Sequence, residues 1–264
     1  MSRSRAWLAV LLTGLSLAGL TTLADDAAER IDLDRILEPP SWKAPLGFDD
    51  LGRPLGARIA VGAQTAVLVA ATVVMLSATL GTLLGMLAGW CGGWIELLIV
   101  RLIDVFMAVP GILLAIALAG ILGPGLDNVV IALSAVGWVG FARLARAQTR
   151  SLRRRDHVLV AHALGTPVPR ILRLHVLPLI SGPLIVEATF ALAAVIVAEA
   201  GLSFLGLGVQ PPTPSWGGLI RDGTRYLLIA PHLVIMPGLA LMTLVIAINL
   251  AGDRARDRWA GRAL

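Results

Sequence analysis

Lysine and cysteine are nearly missing from this chain: Lys43 and Cys91 each stand alone among 264 residues. One cysteine excludes an internal disulfide and any cysteine-rich metal site. One lysine, with no Gly-rich run leading into it, excludes a P-loop, whose lysine must reach the β/γ-phosphates of a nucleotide. The chain is therefore not expected to hydrolyse ATP by itself. Charge is scarce too, at 15% of residues against 57% hydrophobic. A soluble domain carries about 25% charged residues. No His/Asp/Glu cluster or activated serine falls inside the apolar runs, so no catalytic residues, cofactor or metal are expected. His157, His162, His175 and His232 lack ligand spacing with acids.

What is present is long apolar runs. A membrane-spanning helix needs about 20 such residues to cross about 30 Å of hydrocarbon. Six segments are read this way, at roughly 7–23, 66–89, 98–122, 129–144, 184–205 and 233–250. The fourth is short and alone could be a re-entrant or buried helix, but the arginine-rich stretch behind it requires it to cross. The first has a second interpretation, because Arg3 and Arg5 before an apolar core resemble a signal peptide. An all-α polytopic membrane protein follows, treated as one transmembrane domain over 1–264. Segment 25–60 is expected outside, the core bundle at 61–251 and a cytoplasmic loop at 145–180.

Charge placement orients these spans. The net charge of +5 could attract nucleic acid, but residues 143–178 alone hold eight arginines against one acid, Asp156. Residues 25–60 hold eight acids and five bases. Arginine excess marks cytoplasmic loops. Six spans with both termini inside satisfy every loop, without nucleic acid as a partner. Gly81, Gly85 and Gly89 repeat every four residues, a spacing that lets helix backbones approach closely. Pro110-Gly111 predicts a kink in the third span.

The basic loop contains a short Ala-rich stretch, from Asp156 to Gly165. Asp156 is expected to cap a helix start, and Gly165 with Pro167 behind it suits a left-handed helix stop. Val160, Ala161, Ala163 and Leu164 present a small apolar surface. Beyond Pro169, a stripe of Val168, Ile171, Leu172 and Val176 predicts a second helix, ended by Leu177-Pro178. A two-turn helix is marginal alone in water and needs a partner surface. Two partners fit: the bilayer face, or a groove on a separate cytoplasmic protein.

At these residues the chain resembles the membrane subunits of ABC importers. Their "EAA" loop reads Glu-Ala-Ala, three residues, Gly, nine residues, then Ile-x-Leu-Pro. Ala161, Gly165, Leu177 and Pro178 match it, while Leu159 replaces the glutamate, Val160 the first alanine and His175 the isoleucine. Further blocks are PLGFDDLGR at 45–53, LAGWCGGW at 87–94, RLID at 101–104, LGPG at 122–125 and LSFLGLGVQPPTPSWG at 202–217. They are similar to the second permease of dipeptide, oligopeptide and nickel importers, from about 45 to 259. Phe48 and Pro54 depart from the family pattern of threonine and aspartate.

The resemblance implies a type I importer permease fold in a bacterial inner membrane. It also implies a second, homologous permease, two cytoplasmic ATPases, an external substrate-binding protein and surrounding lipid. Function would be ATP-driven uptake of peptides or a related small solute by alternating access; nickel is the alternative cargo. The coupling residues would be Asp156, Ala161, Ala163, Leu164, Gly165, Leu177 and Pro178. A stand-alone secondary transporter would call for paired midplane charges or inverted repeats, and neither is evident.

Five polar or amphipathic features remain. Glu199 lies inside the fifth span as a pore or packing residue, where a charge is costly unless paired, neutral or wet. Glu187 is expected to pair with a loop arginine, and Arg101 with Asp104. Asn249 and Asp253 are expected to close the last span. Trp216, beside the stiff Pro211–Pro214 segment, suits the membrane interface.

Overall fold

Glycines at 81, 85 and 89 leave a groove with no side chains along one helix, and that groove sets the packing of the bundle. The structure, a computed structural model, describes residues 27–42 and 44–260. Helix α1 (Leu55–Cys91) carries the three glycines, and α4 (Leu126–Leu152) lies against them. A methyl group at Gly81 would strike the Trp138 carbonyl, one at Gly85 the Ala142 carbonyl, and one at Gly89 would lie 2.6 Å from that of Arg146. The two rows, each spaced by four residues, run side by side. Where lipid offers no hydrophobic drive between helices, such close backbone contact is what holds them together.

Between these two helices lie α2 (Gly93–Met107) and α3 (Gly111–Leu122). Together they are the third apolar segment, but they meet at an angle of 84°. A kink at Pro110-Gly111 was expected in this span; the chain breaks fully at 108–110. Pro110 has no N–H to continue α2, and it disfavours helical backbone at Val109. Ile99 and Ile103 of α2 pack on Trp138, Val139 and Ala142, and Ala115 and Ala119 of α3 on Val129, Ala132 and Leu133. The LGPG turn joins α3 to α4, and the Asn128 amide donates to the Leu122 and Gly123 carbonyls at 3.0 and 3.1 Å, covering the orphan end of α3.

After α4 comes α5 (Asp156–Ala163), then α6 (Val168–Ile171), which runs through a π turn (Leu172–Val176) into α7 (Leu177–Phe204). Helix α8 (Trp216–Thr224) is short, and α9 (His232–Ala260) is the last. Among the described residues four helices are long and apolar enough to span, or five spans if the bent α2–α3 pair is counted as one. The expected first span, 7–23, lies outside the described residues. Helix α1 already begins at Leu55, within the 25–60 segment expected to precede the core bundle. At 37 residues α1 is about 55 Å long, well beyond the hydrocarbon thickness. Asn249 and Asp253 do not end the last helix, because α9 continues past them to Ala260.

At the end of the bundle opposite α5, residues 27–54 fold as a strap. Asp49 is buried and accepts from the Leu51 and Arg53 N–H groups at 2.9 and 2.8 Å, from Arg53 Nε at 2.8 Å and from Arg58 of α1. Phe48 and Pro54, the two departures from the family pattern, face each other across an isolated antiparallel bridge. The Arg35 guanidinium covers the Phe48 ring at 5.1 Å.

Candidate functional site

Helix α5 has eight residues and spans about 12 Å. It is too short to persist alone, and packing holds it. Val158 is buried with Met86 and Trp90 of α1, Ala145 of α4, and Ile171, Val176 and Ile180 of the chain that follows. Fully burying a side chain of this kind contributes about 1.5–3 kcal/mol. Leu159, Val160, Ala163 and Leu164 face outward, with Leu164 80% exposed. Ala161 belongs instead to the inner side, half-buried against the same cluster.

Asp156 does not cap this helix. Arg155 takes the cap position with extended backbone, no side-chain cap bond forms, and Asp156 is the first helical residue. Once Asp156 adopts helical backbone its carboxylate cannot reach forward as a cap does. It still stands at the positive end of the helix dipole. The other end closes on Gly165 at φ +78°. The Thr166 N–H donates to the Ala161 carbonyl at 3.1 Å and the Gly165 N–H to that of His162 at 3.0 Å. This paired arrangement is a Schellman stop.

Leu177-Pro178 does not end a helix either. Residues 168–204 form one continuous helical run, and the Leu177 N–H donates five residues back to the Leu172 carbonyl. Pro178 cannot donate and crowds the preceding turn; one wider turn accommodates it. The extra residue also brings Ile171, Val176 and Ile180 into one buried cluster, although five residues separate the first two. Leu177 and Pro178 themselves are exposed.

The other polar expectations resolve in different ways. Glu199 is 1% exposed. Ser203 Oγ donates to its Oε1 at 2.7 Å and accepts from the Val209 N–H at 3.2 Å, while Oε2 has no partner among the described residues. Phe190, Ala194, Val197 and Gly201 of the same helix line an open apolar groove with Ile112 and Val245. Glu199 is not among the residues lining it. Arg101 and Asp104 pair at 3.8 Å, both exposed. Glu187 makes no ion pair among the described residues; it shares a hollow with Arg143 and Arg146 on α4, and Arg146 is already taken by Glu96. No group of three or more His, Cys, Asp or Glu able to hold a metal occurs among the described residues.

Trp216 does not stand exposed as an interface anchor would. It is buried, and its indole N–H donates to the Ile59 carbonyl at 2.9 Å. Ser215 caps α8 by accepting from the Gly218 N–H at 3.1 Å, and a methyl on Gly217 would strike the Ala200 carbonyl. The block at 202–217 is thus an internal joint between α7, α8 and α1. Sequence reasoning passed over Glu96 and Trp90, whose partners lie some fifty or more residues away.

Residues 81–261 match the family of binding-protein-dependent transport system inner membrane components. The chain is 39% identical over 257 residues to a glutathione transport system permease protein, GsiD, of Escherichia coli O6:K15:H31, covering 97% of this chain and 85% of that one. The GsiD of Shigella boydii serotype 4 gives the same figures. In fold, the chain is similar to a subunit of the inward-facing MetNI methionine ABC transporter, with a TM-score of 0.61 at 19% identity over 77% of this chain and 97% of that one. Six apolar segments, a helical bundle and a short helix stopped at Gly165 agree with these likenesses: the chain belongs to the binding-protein-dependent inner membrane components, the multi-pass permease subunits of ABC importers.

Proposed function

We propose that this permease carries small peptides, of the class that includes glutathione, across the inner membrane, and that α5 is the handle by which separate ATPases drive it. The supporting observation is α5 itself: it is rooted in the bundle by Val158 and stopped at Gly165, with Leu159, Val160 and Leu164 turned away from the protein. Such a helix suits insertion into a groove on another protein. The family glutamate is replaced by Leu159, so the contact is apolar where a salt bridge would otherwise form.

The arginine-rich end bearing α5 is assigned to the cytoplasm, with both termini, and the strap at 27–54 to the outside. A second, homologous permease completes the pore, and an external binding protein delivers the solute. Binding of solute by a separate protein fits a permease whose open groove is mainly apolar, with Asn249 among its few polar residues. Glu199, hydrogen-bonded inside the subunit, is assigned to packing and not to the pore.

The test is uptake by proteoliposomes holding the complete complex. Labelled glutathione or dipeptide should accumulate only with ATP inside and binding protein outside. Accumulation of Ni²⁺ in place of peptide would reassign the cargo. Accumulation by this chain without an ATPase would overturn the whole reading.

A further inference from the structure

The arginines of the basic loop divide into two sets. Arg146 and Arg150, one turn apart on α4, both reach Glu96 Oε1 on α2, at 2.8 and 3.3 Å. Arg153 closes α4 and turns to α1: its Nη1 donates to the Trp90 carbonyl at 2.5 Å, and its guanidinium lies 5.8 Å from the Trp90 ring centroid. His162, in the last turn of α5, meets the same indole edge-on at 6.1 Å. By contrast Arg154, Arg155, Arg170 and Arg173 are exposed and form no ion pair among the described residues.

Trp90 stands in the last turn of α1. Carbonyls there lack intrahelical donors, and the negative end of the helix dipole favours a cation. A guanidinium can donate in its plane and stack by its face at once, which an ammonium cannot. The indole is thus gripped by Arg153 from the α4–α5 turn and by His162 from α5. The apolar contact at Val158 adds area without direction; the Arg153–Trp90–His162 set fixes an angle.

We propose that Arg153 is a positioning residue that, with Trp90 and His162, locks α5 to the inner end of α1. Displacement of the handle then moves a spanning helix and does not merely bend the turn at 153–155. The proposal rests on α5 being the ATPase handle, and its readout is separable from that assignment. Cys91 is exposed and adjoins Trp90. Thr166→Cys places a second label where the Thr166 N–H ties the chain to α5.

The experiment uses the full complex in sealed proteoliposomes, spin-labelled at both cysteines, with and without ATP. Label separation by continuous-wave EPR, solute moved per ATP and retention of the ATPases are measured together. One narrow separation is expected in both nucleotide states. Adding Arg153→Ala should broaden it and lower solute per ATP severalfold with the ATPases still bound, and Arg153→Lys should recover part of the coupling. A separation that stays narrow in Arg153→Ala, with coupling unchanged, overturns the lock. Absence of bound ATPases from the parent complex would instead strike at the handle, and the separation would still report on the lock.

Discussion

The indole N–H of Trp216 donates to the Ile59 carbonyl at 2.9 Å, across 157 residues of chain. Gly62, one turn further along α1, has room for no side chain beside that ring, since a methyl there would lie 2.9 Å from Trp216 Cδ1. The end of the bundle opposite α5 is therefore locked by one aromatic wedge between α1 and α8.

Removing that wedge should be costly. Trp216→Ala leaves a cavity, a change worth about 3–5 kcal/mol in a packed core. Trp216→Phe keeps most of the ring and loses one hydrogen bond, to a carbonyl that still accepts within the α1 ladder, costing about 0.5–1.5 kcal/mol. Thermal unfolding in detergent should rank wild type above Phe and Phe above Ala. An alanine variant as stable as wild type would show that the wedge is not structural.

The α1–α4 seam makes a sharper contrast. Gly85→Val forces a branched side chain into the Ala142 backbone, whereas Gly120→Ala meets nothing within 4 Å. Overpacking of this kind costs about 1–3 kcal/mol. Size-exclusion profiles should show Gly85→Val aggregated or poorly expressed and Gly120→Ala monodisperse. Equal behaviour of the two would place the seam elsewhere.

Gly165 is different, because nothing lies within 4 Å of a methyl built there and only its φ of +78° forbids a side chain. A β-branched residue in that conformation costs on the order of 1–3 kcal/mol. Gly165→Val should therefore spoil the α5 stop and leave the bundle inserted. Loss of ATPase co-purification at normal membrane levels is expected; undiminished co-purification would count against α5 as the docking element.

Glu199→Gln keeps an oxygen for the Ser203 hydroxyl. Uptake near the wild-type rate is expected, measured in the same proteoliposomes. Abolished uptake at normal expression would move Glu199 from packing to the transport path.

Much of this was legible from local chemistry. The apolar runs, the four-residue glycine spacing, the break at Pro110-Gly111 and the stop at Gly165 each depend on neighbours within a turn or two. One misreading involves a partner distant in the chain, and two involve neighbours whose backbone took another course. Trp216 looks interfacial until Ile59 is found beneath it. Asp156 looks like a cap until Arg155 takes the position. Leu177-Pro178 looks like an ending, because local rules do not foresee a π turn that keeps Ile171, Val176 and Ile180 buried together.

Sequence alone decided the solvent and the class of this protein, because the number of apolar residues and the placement of arginine are sums over the chain. Those sums need no coordinates: a polypeptide this poor in charge must put its helices in lipid. Tertiary structure alone decided which arginines are anchors and which are free. Arg153 and Arg154 are neighbours of identical chemistry, and only the direction in which the α4–α5 turn points each of them puts one against Trp90 and gives the other no side-chain partner among the described residues.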